Sequence, residues 1–297
     1  VSTSLIASDK LDTNSYFFFF KHFIFVLTGL IIIFIFSYID RNTLYKISIY
    51  IFCLSFLLLF LVPLIGVEVK GSKRWLDLYF LPRIQPIELV KPFFIITVSS
   101  IITYEKLSNF SLKFTFSLLL TLAVVFLLII QPDFGQTLLI SFSWAILIFI
   151  SGINLFFLLS ISLIGIMLML YVAFFVPKFV YIKKRLLSFF DAENGTYNFQ
   201  SDKAIESITS GSFFGKGIGE GTLKNKVPEA HTDYIISVIS EEFGVIVIIM
   251  ILILFLIFLF SIVKKVNTES DNKIKLILVG SISLILIQAM IHIGVNI

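Results

Sequence analysis

The sequence is poor in charge and rich in apolar residues. Only 14% of its 297 residues are Asp, Glu, Lys or Arg, whereas 58% are hydrophobic, and the mean hydropathy is +1.03. A soluble domain carries about 25% charged residues and about 45–50% apolar ones. This shortage of charge excludes an ordinary soluble domain and predicts an integral membrane protein.

Residues that serve as covalent or metal-binding groups are also scarce. The single cysteine, Cys53, excludes a disulfide framework, and its place inside an apolar run is typical of a small core residue. The three histidines form no cluster with cysteine or glutamate that predicts a metal site. Serine-nucleophile motifs, Cys/His pairs and nucleic-acid signatures are absent as well. Any chemistry must therefore depend on carboxylates and cations.

Long apolar runs recur along the whole chain. A helix of about 17–25 residues crosses the roughly 30 Å hydrocarbon core, and the absence of a period of two favours helices over a barrel. We predict eight spans, at residues 17–39, 44–66, 87–104, 113–131, 137–151, 154–176, 234–263 and 273–297. The predicted fold class is an all-α, polytopic transmembrane helix bundle, organised as one integral membrane domain over residues 1–297.

Two connectors between the predicted spans are long, residues 67–86 and residues 177–233. Because eight spans alternate in direction, both connectors lie on one face of the membrane. The positive-inside rule gives most weight to short loops, so the short connectors are predicted to be cytoplasmic and 177–233 to be one large extracytoplasmic loop. The basic residues of the long connectors then either bind an anionic ligand at the outer leaflet or are simply solvated.

The first long connector leads into "GSKRWLDLYFLPRIQPIELVKPFF". Pro86 is suited to the first turn of a helix, and Glu88 and Lys91 follow on one face of it. Ionisable residues within a span usually face the bundle interior or a water-filled cavity and are functional candidates. The alternative is a structural ion pair. In "QPDFGQ", which begins at Gln131, we predict a tight turn in which Asp133 caps the following helix.

The second long connector ends in a glycine-rich stretch, "SGSFFGKGIGEGTLKNK", followed by "VPEAHTDYIISVISEEFG". The glycines permit a close approach of backbone N–H groups to an anion, but a flexible exposed loop is the alternative. If a helix begins near Thr232 or Asp233, one polar stripe contains Asp233, Ser237, Ser240, Glu241 and Gly244. On spacing alone, Asp233 is either the N-cap of this helix or part of a site.

Together these blocks resemble the shape, elongation, division and sporulation (SEDS) family of bacterial peptidoglycan polymerases. The resemblance extends over almost the whole chain, in order, and "PEAHTD" and "GEGTLK" are more similar to the division branch than to the elongation branch. Ile87 stands where the family usually has Ser, and Ser212 where it usually has Gly. Members have about ten spans, so we interpret the chain, which begins at Val1, as a fragment lacking both ends and any assignable signal peptide.

The resemblance implies an activity and a set of residues. The family polymerises lipid II, a disaccharide-pentapeptide on undecaprenyl pyrophosphate, and its essential aspartate corresponds to Asp233, which would act as general base on the acceptor sugar's 4-hydroxyl. Cations would stabilise the leaving pyrophosphate; the candidates are Lys73, Arg74, Lys91 and Lys216. Further substrate-binding candidates are Gln85, Glu88, Glu229 and His231. A divalent cation is compatible with this chemistry, but the sequence shows no site for one.

The resemblance also implies partners and a location. The expected partners are lipid II, membrane lipid, a class B penicillin-binding protein that crosslinks the new strand, and division proteins, without nucleic acid. The expected location is the bacterial cytoplasmic membrane, at the division septum. The alternatives are an elongation polymerase, a lipid II flippase in which Glu88, Lys91 and Glu241 form a relay, and a non-catalytic scaffold.

Overall fold

A computed structural model describes residues 16–69, 72–77, 83–106, 109–176, 199–222 and 234–296. Within these ranges the chain is mainly helical, with one short antiparallel hairpin. In chain order the elements are α1 (Phe17–Tyr38), α2 (Arg41–Ile65), β1 (Val67–Val69), β2 (Ser72–Trp75), α3 (Pro86–Ile102), α4 (Phe110–Ile130), α5 (Phe134–Ile150), α6 (Leu155–Phe175), α7 (Phe199–Gly211), α8 (Ile235–Phe243), α9 (Val245–Thr268) and α10 (Asn272–Asn296).

The all-α membrane architecture predicted from the sequence is confirmed. Five helices of the described chain, α1, α2, α4, α9 and α10, are long and apolar enough to cross a bilayer. The helices α3 and α5 lie at two other predicted spans but have 17 residues each, so each extends about 26 Å at 1.5 Å per residue. Seven of the eight predicted spans thus each coincide with one apolar helix of the described chain, although not every helix has full spanning length.

The chain divides into two compact units, and each is described by itself. One unit contains α1, α7, α8, most of α9 and the last turns of α10. The other contains α2, the hairpin, α3, α4, α5, nearly all of α6, the end of α9 and the larger part of α10. We refer to the latter as the bundle unit and to the former as the loop unit.

The bundle unit has a continuous apolar core. Phe94 and Val98 of α3 are fully buried and pack with Leu59 of α2, Leu128 of α4 and Leu147 of α5. The helices α2, α4 and α5 each bury one stripe of residues, and the opposite surface is exposed and apolar, as expected of a helix that faces lipid. This core fixes the ends of α3 and α5, where the polar residues of the unit lie.

Close helix approach in the bundle unit depends on Gly280 of α10. A Cβ atom at this position would lie 2.6 Å from Cγ2 of Ile95 and 2.9 Å from Cδ2 of Leu147. In lipid the hydrophobic effect does not drive helices together, so their association depends on van der Waals packing. Small residues improve this packing because they allow the helix backbones to approach closely. Gly280 therefore brings α10 against α3 and α5.

The connector between α2 and α3 contains structure that the sequence did not predict. Val67 pairs with Trp75 and Glu68 with Lys73 in the antiparallel hairpin β1–β2, and an isolated bridge joins Leu76 to Ile84. The sequence pattern missed it because strands of three and four residues are too short to show an alternation. The hairpin holds Arg74 beside the bundle.

The prediction of one span over residues 234–263 is wrong, because two helices occupy it. Gly244 separates α8 from α9 and has φ +78°, a left-handed conformation that favours glycine. A Cβ atom on Gly244 would collide with the carbonyl of Phe213. Gly244 therefore ends the polar helix α8 and lets the apolar helix α9 begin in a new direction.

The break is stabilised by the segment 212–222, which we call the glycine loop. The first backbone N–H groups of α9, those of Val245 and Ile246, donate to the carbonyls of Ser212 and Phe213 at 3.0 and 3.4 Å. The first N–H groups of a helix have no partner within the helix, so the glycine loop supplies acceptors that a continuous helix would have provided.

Ser212 follows the last residue of α7 with φ +51°. This left-handed conformation costs a residue with a Cβ atom about 1–2 kcal/mol, and glycine adopts it without that cost. We therefore expect Ser212→Gly to raise the midpoint of thermal unfolding in detergent by a few degrees. The neighbouring Ser210→Gly, within α7, is the control and should lower it. Destabilisation by Ser212→Gly would contradict the conformational argument.

Candidate functional site

The polar residues of the bundle unit gather where α3 and α5 begin. We call this group the polar cluster; it consists of Arg74, Gln85, Glu88, Lys91, Asp133, Gln136 and Gln288. The hairpin supplies Arg74, the start of α3 supplies the next three residues, and the turn between α4 and α5 supplies Asp133 and Gln136. Gln288 comes from α10, so four segments distant in sequence converge.

Glu88 and Lys91 form the ion pair expected from their spacing. The Lys91 Nζ atom lies 2.6 Å from Oε2 of Glu88, and it also donates to Oε1 of Gln288 at 3.1 Å. Gln136 donates to the other oxygen of Glu88 at 3.1 Å. Only 3% of the Lys91 side chain is exposed, against 47% for Glu88. The buried ammonium is thus neutralised by a carboxylate that reaches the surface of the cluster.

Arg74 lies beside the second carboxylate of the cluster. Its Nε atom is 3.8 Å from Oδ2 of Asp133, and its Nη2 atom donates to the carbonyl of Pro132. Gln85 donates to the same Asp133 oxygen at 3.2 Å. A guanidinium with one side facing a carboxylate still has donors for a second anion, which suits recognition of phosphate.

The prediction that the Asp133 carboxylate caps α5 is wrong. Asp133 is the N-cap residue, but its side chain makes no capping hydrogen bond and is directed to Arg74 and Gln85. Burial raises the pKa of this carboxyl above its ordinary value, and the positive charge of Arg74 opposes that rise. The turn therefore holds a buried carboxyl whose partners are a guanidinium and an amide, where a helix cap was expected.

Two polar atoms of the cluster have no hydrogen-bond partner. Within the described residues, the Arg74 Nε and Gln136 Oε1 atoms are buried without one. Buried polar atoms are nearly always paired, so each exception calls for an explanation such as a ligand. One donor and one acceptor are thus available to a bound molecule in the polar cluster.

The loop unit contains a second arrangement, in which Glu241 of α8 is fully buried. Its Oε1 atom accepts from the Lys216 Nζ at 3.1 Å and from the Thr222 backbone N–H at 2.8 Å. Its Oε2 atom accepts from the Ser207 hydroxyl at 3.2 Å. This Glu241 cluster, formed by Ser207, Lys216, Thr222 and Glu241, holds the glycine loop and α7 against α8.

The glycine loop is thereby ordered by specific contacts and is not simply a flexible exposed loop. The backbone N–H groups of Lys216 and Gly217 donate to the carbonyls of Glu241 and Glu242 at 2.9 and 3.0 Å. Gly221 lies so close to the Glu241 carboxylate that a Cβ atom would approach Oε2 to 2.9 Å. The glycines therefore allow the loop to approach α8, and no anion is needed to explain them.

The predicted site residues are distributed over both units. Arg74, Gln85, Glu88 and Lys91 belong to the polar cluster. Lys73 is exposed on β2 and forms no salt bridge with a carboxylate of the described chain. Lys216, predicted as a pyrophosphate-binding cation, is instead paired with Glu241. The remaining predicted residues, Glu229, His231 and Asp233, lie outside the described residues.

Three members of the polar cluster were missed by the sequence analysis. Asp133 and Gln136 lie in "QPDFGQ", which was interpreted as a structural turn, and Gln288 lies in an apolar span. A polar residue inside such a span was the available signal for Gln288. Within the described ranges, no group of three His, Cys, Asp or Glu residues is placed to hold a metal ion.

Comparison with known families gives a match along the whole chain. The family model of the FtsW, RodA and SpoVE cell cycle proteins matches residues 1–297. "Probable peptidoglycan glycosyltransferase FtsW" of Coxiella burnetii is 32% identical over 254 residues, which are 82% of this chain and 67% of that protein. The protein of the same name from Legionella pneumophila is 30% identical, over 99% of this chain and 76% of its own length.

Solved structures agree with these matches. One, described as "Structural coordination of polymerization and crosslinking by a peptidoglycan synthase complex", is 25% identical with a TM-score of 0.72 and covers 90% of this chain and 75% of its own. The rod shape determining protein RodA of Thermus thermophilus is 24% identical with a TM-score of 0.63, over 90% of this chain and 72% of its own. The second structure supports the fold.

Proposed function

The chain belongs to the FtsW/RodA/SpoVE family, and from this we propose that it is a peptidoglycan glycosyltransferase that polymerises lipid II into glycan strands during cell division. The relatives that carry the FtsW name favour the division role over the elongation role. The acceptor and the donor would both be lipid-linked disaccharides, so the reaction would take place at the membrane surface.

The observation that best supports this proposal is the polar cluster. It combines two cations, Arg74 and Lys91, with buried polar atoms at the ends of membrane helices. A departing pyrophosphate develops negative charge, and preorganised cations in a site of low dielectric stabilise such charge strongly. Arg74 would bind phosphate oxygens through its planar fork. Lys91, whose charge is already neutralised by Glu88, would hold Glu88 in place and would not itself contact the phosphate.

In the proposed reaction Asp233 is the general base. The 4-hydroxyl oxygen of the acceptor sugar attacks the anomeric carbon of the donor, and its proton passes to the Asp233 carboxylate. The bond from the anomeric carbon to the pyrophosphate oxygen breaks, the electron pair leaves with the pyrophosphate, and the configuration inverts. In the sequence Asp233 immediately precedes Tyr234, a buried residue at the start of α8. The helix α8 would therefore anchor the segment that carries Asp233.

The Glu241 cluster gives Lys216 a positioning role in this proposal. Since its ammonium is paired with a fully buried carboxylate, Lys216 would hold the glycine loop in place and would not bind the pyrophosphate. The glycine loop leads, through residues outside the described ranges, to Glu229, His231 and Asp233. A fixed loop on one side and α8 on the other would restrict the position of the base.

A flippase is less well supported, because the ionisable residues in the described part of the bundle unit do not form a path across it. In the described part of the bundle unit, the fully or nearly buried ionisable residues are Lys91 and Asp133, both in the polar cluster. The other buried polar residues along the helices, such as Ser117, Thr121 and Ser143, are neutral. A transporter relay would require ionisable groups across the membrane.

Partners and location follow the same proposal. The similar peptidoglycan synthase complex couples polymerization with crosslinking, so we propose a class B penicillin-binding protein as the partner that crosslinks the new strand, together with division proteins. The apolar helices support a multi-pass membrane protein, and the proposed location is the cytoplasmic membrane at the septum.

The function can be tested with the full-length protein and its transpeptidase partner in vesicles that contain lipid II. We expect glycan strands, which are measured by electrophoresis of labelled products. In parallel, access of an added enzyme or quencher to labelled lipid II measures translocation across the bilayer. Translocation without polymer formation would replace the proposed activity with that of a flippase. Absence of both translocation and polymer formation would favour a non-catalytic scaffold.

Arg74→Ala is expected to raise the KM for lipid II by about 10-fold or more. A hydrogen bond to a charged group contributes about 1.5–3 kcal/mol, and the variant removes the fork proposed to bind phosphate. Arg74→Lys retains the charge and should lie between the wild type and Arg74→Ala. The control is Arg83→Ala in the same connector, where Arg83 forms an exposed pair with Asp77 at 3.3 Å. Equal kinetics for the three Arg74 proteins would remove Arg74 from the site.

A further inference from the structure

A cavity lies at the end of the bundle unit opposite the polar cluster. Its volume is about 970 Å³, and its walls come from the start of α2, the end of α3, the start of α4, the end of α5 and the start of α10. The polar cluster, in contrast, lies at the start of α3 and at the turn between α4 and α5. The cavity is therefore separate from the proposed catalytic site and belongs to the membrane face with short connectors.

The charged groups that line this cavity are mainly basic. They are Glu105, Lys106, Lys113, Asp271, Lys273 and Lys275. Four lysines thus face two acids. One of the acids is already used within the fold, because the Asp271 carboxylate accepts from the backbone N–H of Lys273 at 2.8 Å and caps the start of α10. The cavity therefore carries a net positive charge, and the orientation of the Asp271 carboxylate is fixed by the helix that it caps.

None of these four lysines pairs with a carboxylate of the described chain, although three of them, Lys113, Lys273 and Lys275, are partly buried. Lys273 instead lies over the ring of Tyr45, with its Nζ atom 4.5 Å from the ring centre. Partly buried ammonium groups that face one cavity repel one another, and a bound anion would relieve this repulsion. The cavity therefore has the chemistry of an anion site.

The surroundings of the cavity are apolar. Tyr104, Phe110 and Ile150 line it and are each more than one-third exposed, although they lie at the ends of helices that are expected to meet the bilayer surface. Tyrosine and other aromatic residues at this depth are typical of the interface between headgroups and acyl chains. A ligand that fits both features has an anionic head and apolar chains.

We propose that this cavity binds the phosphate headgroup of an anionic phospholipid, with Lys113, Lys273 and Lys275 around the phosphate. Basic pockets between membrane helices on the cytoplasmic side bind lipid phosphates in this way. The volume is in the range of about 300–1,000 Å³ found for ligand pockets. The acyl chains extend along the exposed apolar surfaces beside Phe110 and Ile150. This proposal does not depend on the proposed enzymatic activity.

The test measures phospholipid binding to the full-length protein in detergent by native mass spectrometry. Phosphatidylglycerol is titrated onto the wild type and onto Lys113→Gln/Lys275→Gln, with phosphatidylcholine as the zwitterionic comparison. The control is Lys264→Gln/Lys265→Gln, which removes the same charge from exposed positions in the last turns of α9 that do not line the cavity. Since each lysine near an anionic headgroup contributes roughly fivefold in affinity, we expect a loss of at least about tenfold in the cavity variant.

The outcomes separate the proposal from its alternatives. Preferential binding of phosphatidylglycerol that falls in the cavity variant and persists in the control supports the proposal. Equal affinity in all three proteins overturns it. Inorganic phosphate or glycerol 3-phosphate that competes as well as the lipid shows a site for soluble phosphates and also overturns the lipid proposal. If the double variant does not fold, the single variant Lys275→Gln replaces it with an expected loss of about fivefold, and unchanged affinity in that variant overturns the proposal.

Discussion

Asp233→Asn is expected to reduce glycan polymerisation by about 10²–10⁴-fold, since this is the usual contribution of a general base. Asparagine has nearly the same size and can still accept a hydrogen bond as an N-cap, but it cannot take the proton of the acceptor hydroxyl. The measurement is the initial rate of strand formation from lipid II, with wild type and variant at equal concentration and with the transpeptidase partner present.

Two controls distinguish loss of the base from loss of the fold. Asp202→Asn removes an exposed carboxylate from α7 in the same unit and should retain the wild-type rate. The thermal midpoint of Asp233→Asn should remain within a few degrees of the wild type. A folded Asp233→Asn protein with the full rate would leave Asp233 as a capping residue, and Glu229 and His231 would become the candidates for the base.

Glu241→Ala is expected to destabilise the loop unit by about 3 kcal/mol. The change removes the acceptor of three donors, and hydrogen bonds to a charged group contribute about 1.5–3 kcal/mol each. The three contributions sum to about 4.5–9 kcal/mol. We expect a smaller loss than this sum because the Lys216 side chain is 35% exposed and its ammonium can be hydrated when the partner is lost. The glycine loop should then open more often.

Hydrogen exchange measures this opening locally. The amide of Gly217 donates to the carbonyl of Glu242, a bond that the substitution does not touch directly, so its exchange reports the loop as a whole. A change of 3 kcal/mol corresponds to roughly 100-fold faster exchange, since 1.36 kcal/mol is a factor of ten. Glu241→Gln should show an intermediate increase, because it retains an acceptor and loses the charge.

The matched control for this experiment is Glu220→Ala. Glu220 is exposed in the same glycine loop and does not contribute to the Glu241 cluster, so its removal should leave the Gly217 exchange rate unchanged. Similar rates in Glu241→Ala and the wild type would mean that the glycine loop is held by its backbone contacts alone. The Glu241–Lys216 pair would then have little energetic importance.

The sequence predicted the helical membrane fold because long apolar runs leave few alternatives in lipid. It did not predict the break at Gly244, since the apolar periodicity continues through that residue and the cause of the break is distant in sequence. The carbonyl of Phe213 and the N–H groups of α9 meet at this point. Single-sequence patterns carry local information, whereas this contact joins segments about thirty residues apart.

The sequence predicted one ion pair of the candidate site and missed the role of a second carboxylate. The Glu88–Lys91 pair followed from spacing on one helix, and its geometry is confirmed. The role of Asp133 was missed because its local context, a turn before a helix, has a complete structural explanation in capping. Only the arrival of Arg74 from the hairpin shows that this carboxylate is engaged elsewhere. Whether Asp233 is the base stays a prediction.

The break at Gly244 also has a consequence for how the chain enters the bilayer. The helix α9 has 24 residues, about 36 Å at 1.5 Å per residue, and can be recognised by the insertion machinery without α8. A continuous helix from residue 235 would have joined Glu241 and Glu242 directly to the apolar run, at the edge of the hydrocarbon core, and their charges would have weakened the recognition of that run as a span. Biogenesis is thus expected to proceed in two steps: α9 partitions into lipid first, and α8 docks later, once Lys216 is available to neutralise Glu241.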